Sequence, residues 1–228
     1  MPLNTTGIPL DEFLMTGIKK SNYFYSMPNL IVIRHGQSEW NLQNRFTGDA
    51  DVELTEVGIE EAKNAGRLIK NFPLDAAYTS VLKRAIHTLN IILEIIENLS
   101  LPVTCNAALN ERSYGDLQGL NKEDTVKKYG EAQVLLWRRG FSIVPPNGES
   151  LQDTFNRVVP YYNQEILPQL KSGKNILIVA HGNSLRALMM HLEQISETAI
   201  ADVNLATGAP RLYRFSDAME LQEAVYIQ

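Results

Sequence analysis

Two short apolar runs, nearly 150 residues apart, end on the same dipeptide. Leu30-Ile31-Val32-Ile33 stops at Arg34-His35-Gly36, and Ile176-Leu177-Ile178-Val179-Ala180 stops at His181-Gly182. Unbroken runs of Ile, Leu and Val of this length suit strands buried on both faces, as in parallel sheets covered by helices on each side. In open α/β sheets, ligands bind in the crevice beyond the carboxyl ends of the strands. Both histidines are therefore expected on one functional rim.

The chain between and around these runs alternates strand and helix. Thr55 is placed to cap a helix over Glu56–Lys70, and Pro73 breaks it. Ala76–Thr79 reads as a strand, and Ser80 is placed to cap a helix from Val81 to about Leu99, which puts Arg84 in its first turn. Pro102–Asn106 is a short strand, and Asn121–Trp137 is helical but broken near Gly130. Pro145–Gly148 is a turn. Ser150 and Asp153 have capping-box spacing ahead of a long helix to about Leu170, bent at Pro160. After the second His-Gly strand come a helix over Ser184–Glu193 and a last strand over Arg211–Phe215. This order implies an α/β fold with three layers, α/β/α, around a mostly parallel central sheet. Arg34, His35, Arg84 and His181 then meet at three strand ends.

At 44% hydrophobic residues, 228 residues are enough for a full α/β core. A formal charge of −5 argues against generic nucleic-acid binding, and no apolar stretch approaches the ~20 residues of a membrane span. The single cysteine, Cys105, leaves no internal disulfide or Cys-rich metal site and fits a reducing, cytoplasmic setting. Residues 1–27 carry neither a basic start with an apolar run nor an arginine-rich composition, so they read as an extension, surface-packed or disordered. Residues 28–228 form the domain.

Arginine forks match phosphoryl oxygens and keep their charge, so arginines beside imidazoles suggest a phosphate pocket containing a nucleophile. Adjacent guanidinium charge favours neutral imidazole. Gly36 and Gly182 allow close backbone approach to oxyanions, and Asn183-Ser184 opens a helix whose N-terminus favours negative charge. A zinc site built on His35 and His181 lacks a third ligand at suitable spacing, so no metal is expected.

The segments Arg34–Asn41 and His181–Ser184 resemble the histidine phosphatase superfamily. Tyr78–Ala85, Glu111–Gly115, Leu117–Lys122, Trp137–Arg139 and Thr207–Pro210 resemble, within it, the 2,3-bisphosphoglycerate-dependent phosphoglycerate mutases. The likeness runs from Pro28 to about Phe215. It implies a phosphoglycerate mutase-like fold and a reaction interconverting 3-phosphoglycerate and 2-phosphoglycerate, in glycolysis and gluconeogenesis, with 2,3-bisphosphoglycerate as primer. It implies that His35 becomes phosphohistidine, that Arg34, Arg84 and His181 hold the moving phosphoryl group, and that Glu111 moves the hydroxyl proton. Substrate contacts are implied for Gly36, Gln37, Ser38, Asn41, Thr47, Gly48, Arg112, Tyr114, Lys122, Arg138, Arg139, Gly182 and Asn183. A homo-oligomer, dimer or tetramer, acting on small phosphorylated sugar acids completes the expectation.

Three positions depart from that pattern. Ser113 stands where histidine is usual, no tryptophan follows Gly48, and the 145–150 stretch is short. Taken alone, Arg138-Arg139 reads as a solvated helix face and Lys122 as an ordinary surface lysine. A phosphatase of the same superfamily would use His35 and His181 identically with water as acceptor; Arg138, Arg139, Asn121 and Lys122 argue against it, because hydrolysis needs no clamp on an intermediate. A non-catalytic scaffold is disfavoured because Arg34, His35, Arg84, Glu111 and His181 are all present.

Overall fold

Strand β1 (Asn29–Arg34) is buried at its four central residues, and β4 (Ile176–Ala180) along its whole length. The two pair in parallel, Val32 opposite Ile178 and Arg34 opposite Ala180, so both apolar runs end level. Alternation of side chains splits the runs between two cores. Leu30, Val32, Ile176 and Ile178 pack on one face with Leu151, Val158 and Leu188, while Ile31, Ile33, Leu177 and Val179 pack on the other with Ala65, Ile69, Leu89 and Ile92. These contacts come from a computed structural model, which describes residues 28–228; the expected extension at 1–27 lies outside the described residues.

The sheet has six strands in the order β3-β2-β4-β1-β5-β6, with β2 at Ala76–Thr79, β3 at Val103–Cys105, β5 at Pro210–Phe215 and β6 at Leu221–Tyr226. The first four run parallel, and β5 and β6 are antiparallel additions. On one face lie α2 (Glu56–Ile69) and α3 (Lys83–Ile95); on the other lie α6 (Leu151–Tyr161) and α8 (Gly182–Leu192).

Local signals explain most helix boundaries. Thr55 Oγ1 accepts the Gly58 N–H, and Ser150 and Asp153 cap each other's backbone as their spacing suggests. The helix expected to reach Leu99 ends at Ile95, because Glu97 takes a left-handed φ of 58° and the Asn98 N–H turns back to Leu93 O. The long helix expected after Ser150 is segmented: beyond Pro160 a π-helical turn spans Tyr162–Ile166 before α7 (Leu167–Lys171).

Between β3 and α6 the chain builds a cap over the strand ends. Helices α4 (Lys122–Tyr129) and α5 (Glu131–Arg139) are separated at Gly130, whose φ is 83°. A small cluster of Phe46, Leu117, Val134 and Trp137 joins them to the loop after α1 (Glu39–Leu42). Phe46 N–H donates to Leu120 O and Gly119 N–H to Phe46 O, which fixes that loop to the cap.

Candidate active site

Strand β1 delivers Arg34 and His35, β4 delivers His181, and the loop after β2 leads to Arg84 at the start of α3. The His35 and His181 rings lie 5.0 Å apart, tilted by 60°. His35 Nδ1 is 2.7 Å from Gly36 O, a pure acceptor, which places the ring proton on Nδ1. Nε2 therefore carries the lone pair, consistent with the 3.3 Å hydrogen bond it accepts from Arg84 Nε. Burial, reinforced by Arg84 and Arg34, holds His35 well below the ordinary imidazole value. The same burial, with Arg84, His35 and Arg34 beside it, lowers His181.

Arg84 is fully buried and also donates to Ala50 O and Gly48 O, both at 2.7 Å, so one guanidinium ties the His35 ring to the 48–50 loop. That loop turns at Gly48 with φ 57°, where a β-carbon would meet Gln118 Oε1 at 2.0 Å. Arg34 donates to Leu205 O at 2.8 Å, leaving its Nε without a partner among the described residues; Thr47 Oγ1 and His181 Nδ1 are likewise buried and unpartnered. Glu111 accepts the backbone N–H groups of Arg112 (2.8 Å) and Asn183 (3.1 Å), which sets its carboxylate at the N-terminal end of α8.

Arg34, His35, Thr47, Gly48, Arg84 and Glu111 border a cavity of about 160 Å³. Its walls carry seven cationic side chains, Arg34, Arg45, Arg84, Lys122, Arg138, Arg139 and Arg186, against one carboxylate, Glu111. A chain of net charge −5 has thus concentrated positive charge at one concave site. Burial, with Arg138 and Arg34 adding to it, lowers Lys122 to about 8. Among the described residues no group of three or more His, Cys, Asp or Glu side chains is placed to hold a metal ion.

Of the residues expected at the site, Arg34, His35, Asn41, Thr47, Gly48, Arg84, Glu111, Tyr114, Lys122, Arg138, Arg139, Gly182 and Asn183 line the cavity. His181 lies directly beside His35, fully buried. Four others face elsewhere. Gly36 N–H donates to Thr88 Oγ1, and a β-carbon there would fall 2.2 Å from Gly58 O, so this glycine serves packing against α2. Gln37 binds Glu61 and Thr55, and Ser38 caps α1 with Asn41. Arg112 is fully buried, donating to Trp137 O and Arg138 O and resting 4.5 Å over the Tyr114 ring. It braces α5 from behind rather than meeting the cavity.

The chain matches the histidine phosphatase superfamily (branch 1) over residues 30–221. It is 59% identical over 202 residues, 89% of this chain and 94% of the other, to the 2,3-bisphosphoglycerate-dependent phosphoglycerate mutase of Cytophaga hutchinsonii. The chain belongs to this mutase family of the histidine phosphatases. Among solved structures, the α-ribazole phosphatase of Shigella flexneri matches with a TM-score of 0.74 at 27% identity, covering 86% of this chain and 95% of that one. A phosphoglycerate mutase from Bacillus anthracis has the same fold, with a TM-score of 0.71 at 24% identity over 87% and 92% of the two chains.

For a member of this mutase family, the lining residues that sequence reasoning missed are instructive. Arg186 donates to Asn183 Oδ1 at 2.9 Å and to Ile200 O, so it anchors a predicted substrate contact while facing the cavity. A signal was present: Arg186 is three residues from Asn183, on the same helical face, within the apolar run Leu185–Met189. Arg45, Asn204 and Leu205 come from loops and carry no comparable pattern.

Proposed function

We propose that the chain interconverts 3-phosphoglycerate and 2-phosphoglycerate by way of a phosphohistidine on His35. The observation that carries this is the neutral, Nδ1-anchored His35, whose lone pair lies within a ring of cations. The residues suit a bisphosphorylated acid: four buried polar atoms, on Arg34, Thr47, His181 and Arg186, have no partner among the described residues, and cations outnumber carboxylates on the walls. When bound, 2,3-bisphosphoglycerate supplies the phosphoryl group that first charges His35.

In the transfer, the His35 Nε2 lone pair forms a bond to phosphorus as a P–O bond breaks. Glu111 delivers a proton to the leaving sugar-acid oxygen. In the reverse sense Glu111 takes the proton from the neighbouring hydroxyl as the new P–O bond forms and the P–N bond breaks. Arg34, Arg84 and His181 stabilise charge on the equatorial oxygens. Asn41, Tyr114, Lys122, Arg138, Arg139 and Asn183 hold the non-reacting carboxylate and phosphate, with Arg112 acting on that clamp through the α5 carbonyls it binds.

The test is acid-labile, base-stable labelling from phosphorylated primer. Wild type should label and His35→Ala should not; equal labelling would overturn the assignment. Replacing Arg138 and Arg139 with alanine should raise hydrolysis relative to isomerisation, the second reading being a phosphatase, which the Shigella likeness keeps relevant. Equal loss of both activities would remove the pair from the clamp. Activity should survive chelators, and a strict need for magnesium or manganese would point to a different reaction. We further propose a cytoplasmic homo-oligomer in which 28–228 is the catalytic domain. A chain started at Met27 should keep its turnover, and loss of most of it would make residues 1–26 part of the working enzyme.

A further inference from the structure

Ser80 sits at zero exposure in the turn between β2 and α3. Its place before a helix suggested a cap, but α3 starts at Lys83 with Leu82 as N-cap and no side-chain cap. The first N–H groups are met otherwise, Lys83 by Asp51 Oδ1 and Leu82 by Ser80 Oγ at 3.2 Å. What remains of Ser80 turns the other way: its Oγ is 2.7 Å from His181 Nε2.

A hydroxyl has one proton to give and two lone pairs. The Leu82 N–H occupies a lone pair. Among the described residues, the other hydrogen-bonding neighbour of Ser80 Oγ is His181 Nε2, so that nitrogen is the acceptor open to the hydroxyl proton. The opposite arrangement, with Nε2–H donating to serine, would strand the hydroxyl proton in a buried site. A neutral imidazole that accepts at Nε2 bears its proton on Nδ1. In His181 that Nδ1 is buried and lacks a partner, while the ring lies against His35.

We propose that Ser80 is a positioning residue that fixes His181 in its Nδ1–H tautomer and so reserves that N–H for an oxygen of the phosphoryl group on His35. This rests on the phosphohistidine reading of the site. It gives two adjacent imidazoles different tasks. His35, held by a carbonyl at Nδ1, offers a lone pair; His181, held by a hydroxyl at Nε2, offers a proton. Burial and the neighbouring arginines push both imidazoles well below the ordinary value, which favours neutral rings, and in a neutral ring the tautomer decides what each presents.

The deciding measurement is the imidazole ¹⁵N spectrum of the free protein, with His181 assigned by its loss in His181→Asn. Nδ1 should carry the proton and Nε2 should not; an Nε2–H ring at position 181 would overturn the proposal. In Ser80→Ala the preference should collapse, and the rate of His35 phosphorylation should drop about 10- to 100-fold. That is less than the ~10²–10³ expected for removing an oxyanion donor outright, since part of the population keeps the useful tautomer. KM should change far less than kcat, and Ser80→Thr, which keeps the hydroxyl, should restore both tautomer and rate. An unchanged tautomer and rate in Ser80→Ala would equally sink the idea. Because the spectrum needs no turnover, failure of wild type to form phosphohistidine would count against the reaction and not against the tautomer.

Discussion

The two His-Gly strand ends look like repeats of one another, and the structure makes them opposites. At the first, Gly36 is pressed against a helix, with room for no β-carbon because Gly58 O would lie 2.2 Å away. At the second, a β-carbon on Gly182 would meet Glu111 Oε2 at 3.5 Å and Arg34 Nε at 3.7 Å, ordinary contacts on the wall of the cationic cavity. The histidines differ in the same way, one tied through Nδ1 to a backbone carbonyl and the other through Nε2 to a serine. Identical dipeptides at identical strand positions thus carry a histidine tied to a carbonyl with a packing glycine in one case, and a histidine tied to a hydroxyl with a cavity-lining glycine in the other. What separates them is the partner supplied by distant sequence: α2 and Thr88 for the first, Ser80 and Glu111 for the second.

The largest expected effect separates the histidines. On the proposed route, His35→Ala removes the atom that would bond phosphorus and should leave no detectable label from phosphorylated primer. His181→Ala removes the proposed stabilising donor and should slow labelling by about 10²–10³ while leaving an end point that can still be reached. Rapid-quench labelling of both variants checks this, and a His181→Ala enzyme as inert as His35→Ala would erase the distinction.

The glycines should divide along another axis. Gly36→Ala forces a methyl into the α2 backbone, which cannot give way as a flexible side chain would, and should cost about 3 kcal/mol in a urea titration. Gly182→Ala stands in the first turn of α8, where alanine is the better helix former by up to about 1 kcal/mol, so stability should hold or rise. Its methyl would rest in ordinary contact with Glu111 and Arg34 but take up space on the cavity wall, and kcat/KM should fall about tenfold. A folded, active Gly36→Ala enzyme would show that the loop can slide away from Gly58.

Much of this was legible in the chain, and the reasons are physical. Buried parallel strands need continuous apolar runs, so β1 and β4 announce themselves, and caps such as Thr55 and Ser150 mark helix starts by hydrogen bonds that span three residues. The edge strand β6 was not legible, because Leu221–Tyr226 is only partly buried and mixes Gln222 and Glu223 with apolar residues. The tasks of Gly36, Ser80 and Arg112 were hidden for a different reason. Each is set by a contact with an element distant in sequence, Gly58, His181 and the α5 carbonyls, and no spacing rule encodes such a partner. Arg186 falls between these cases, readable from its helical phase once Asn183 is suspected.

The smallest expected effect asks whether the two imidazoles, so different in task, are alike in charge. Both are buried, and both have folded values well below the ordinary 6.5. In the pH range between that unfolded value and the depressed folded one, the unfolded chain binds a proton that each folded ring refuses. Stability is therefore fully present above about 6.5 and declines as pH falls below it, at up to ~1.4 kcal/mol per pH unit for each histidine. Urea midpoints measured over the first pH unit below 6.5 should show this slope in wild type, partly relieved in His35→Gln and in His181→Gln, and most relieved in the double variant. Similar relief from each single change would mean that both rings are neutral in the folded protein, leaving tautomer as what distinguishes them. Relief from His35→Gln alone would instead mean that His181 is already charged when folded. It would then donate from Nδ1 whatever Ser80 does, and the contrast between the two strand ends would be one of charge.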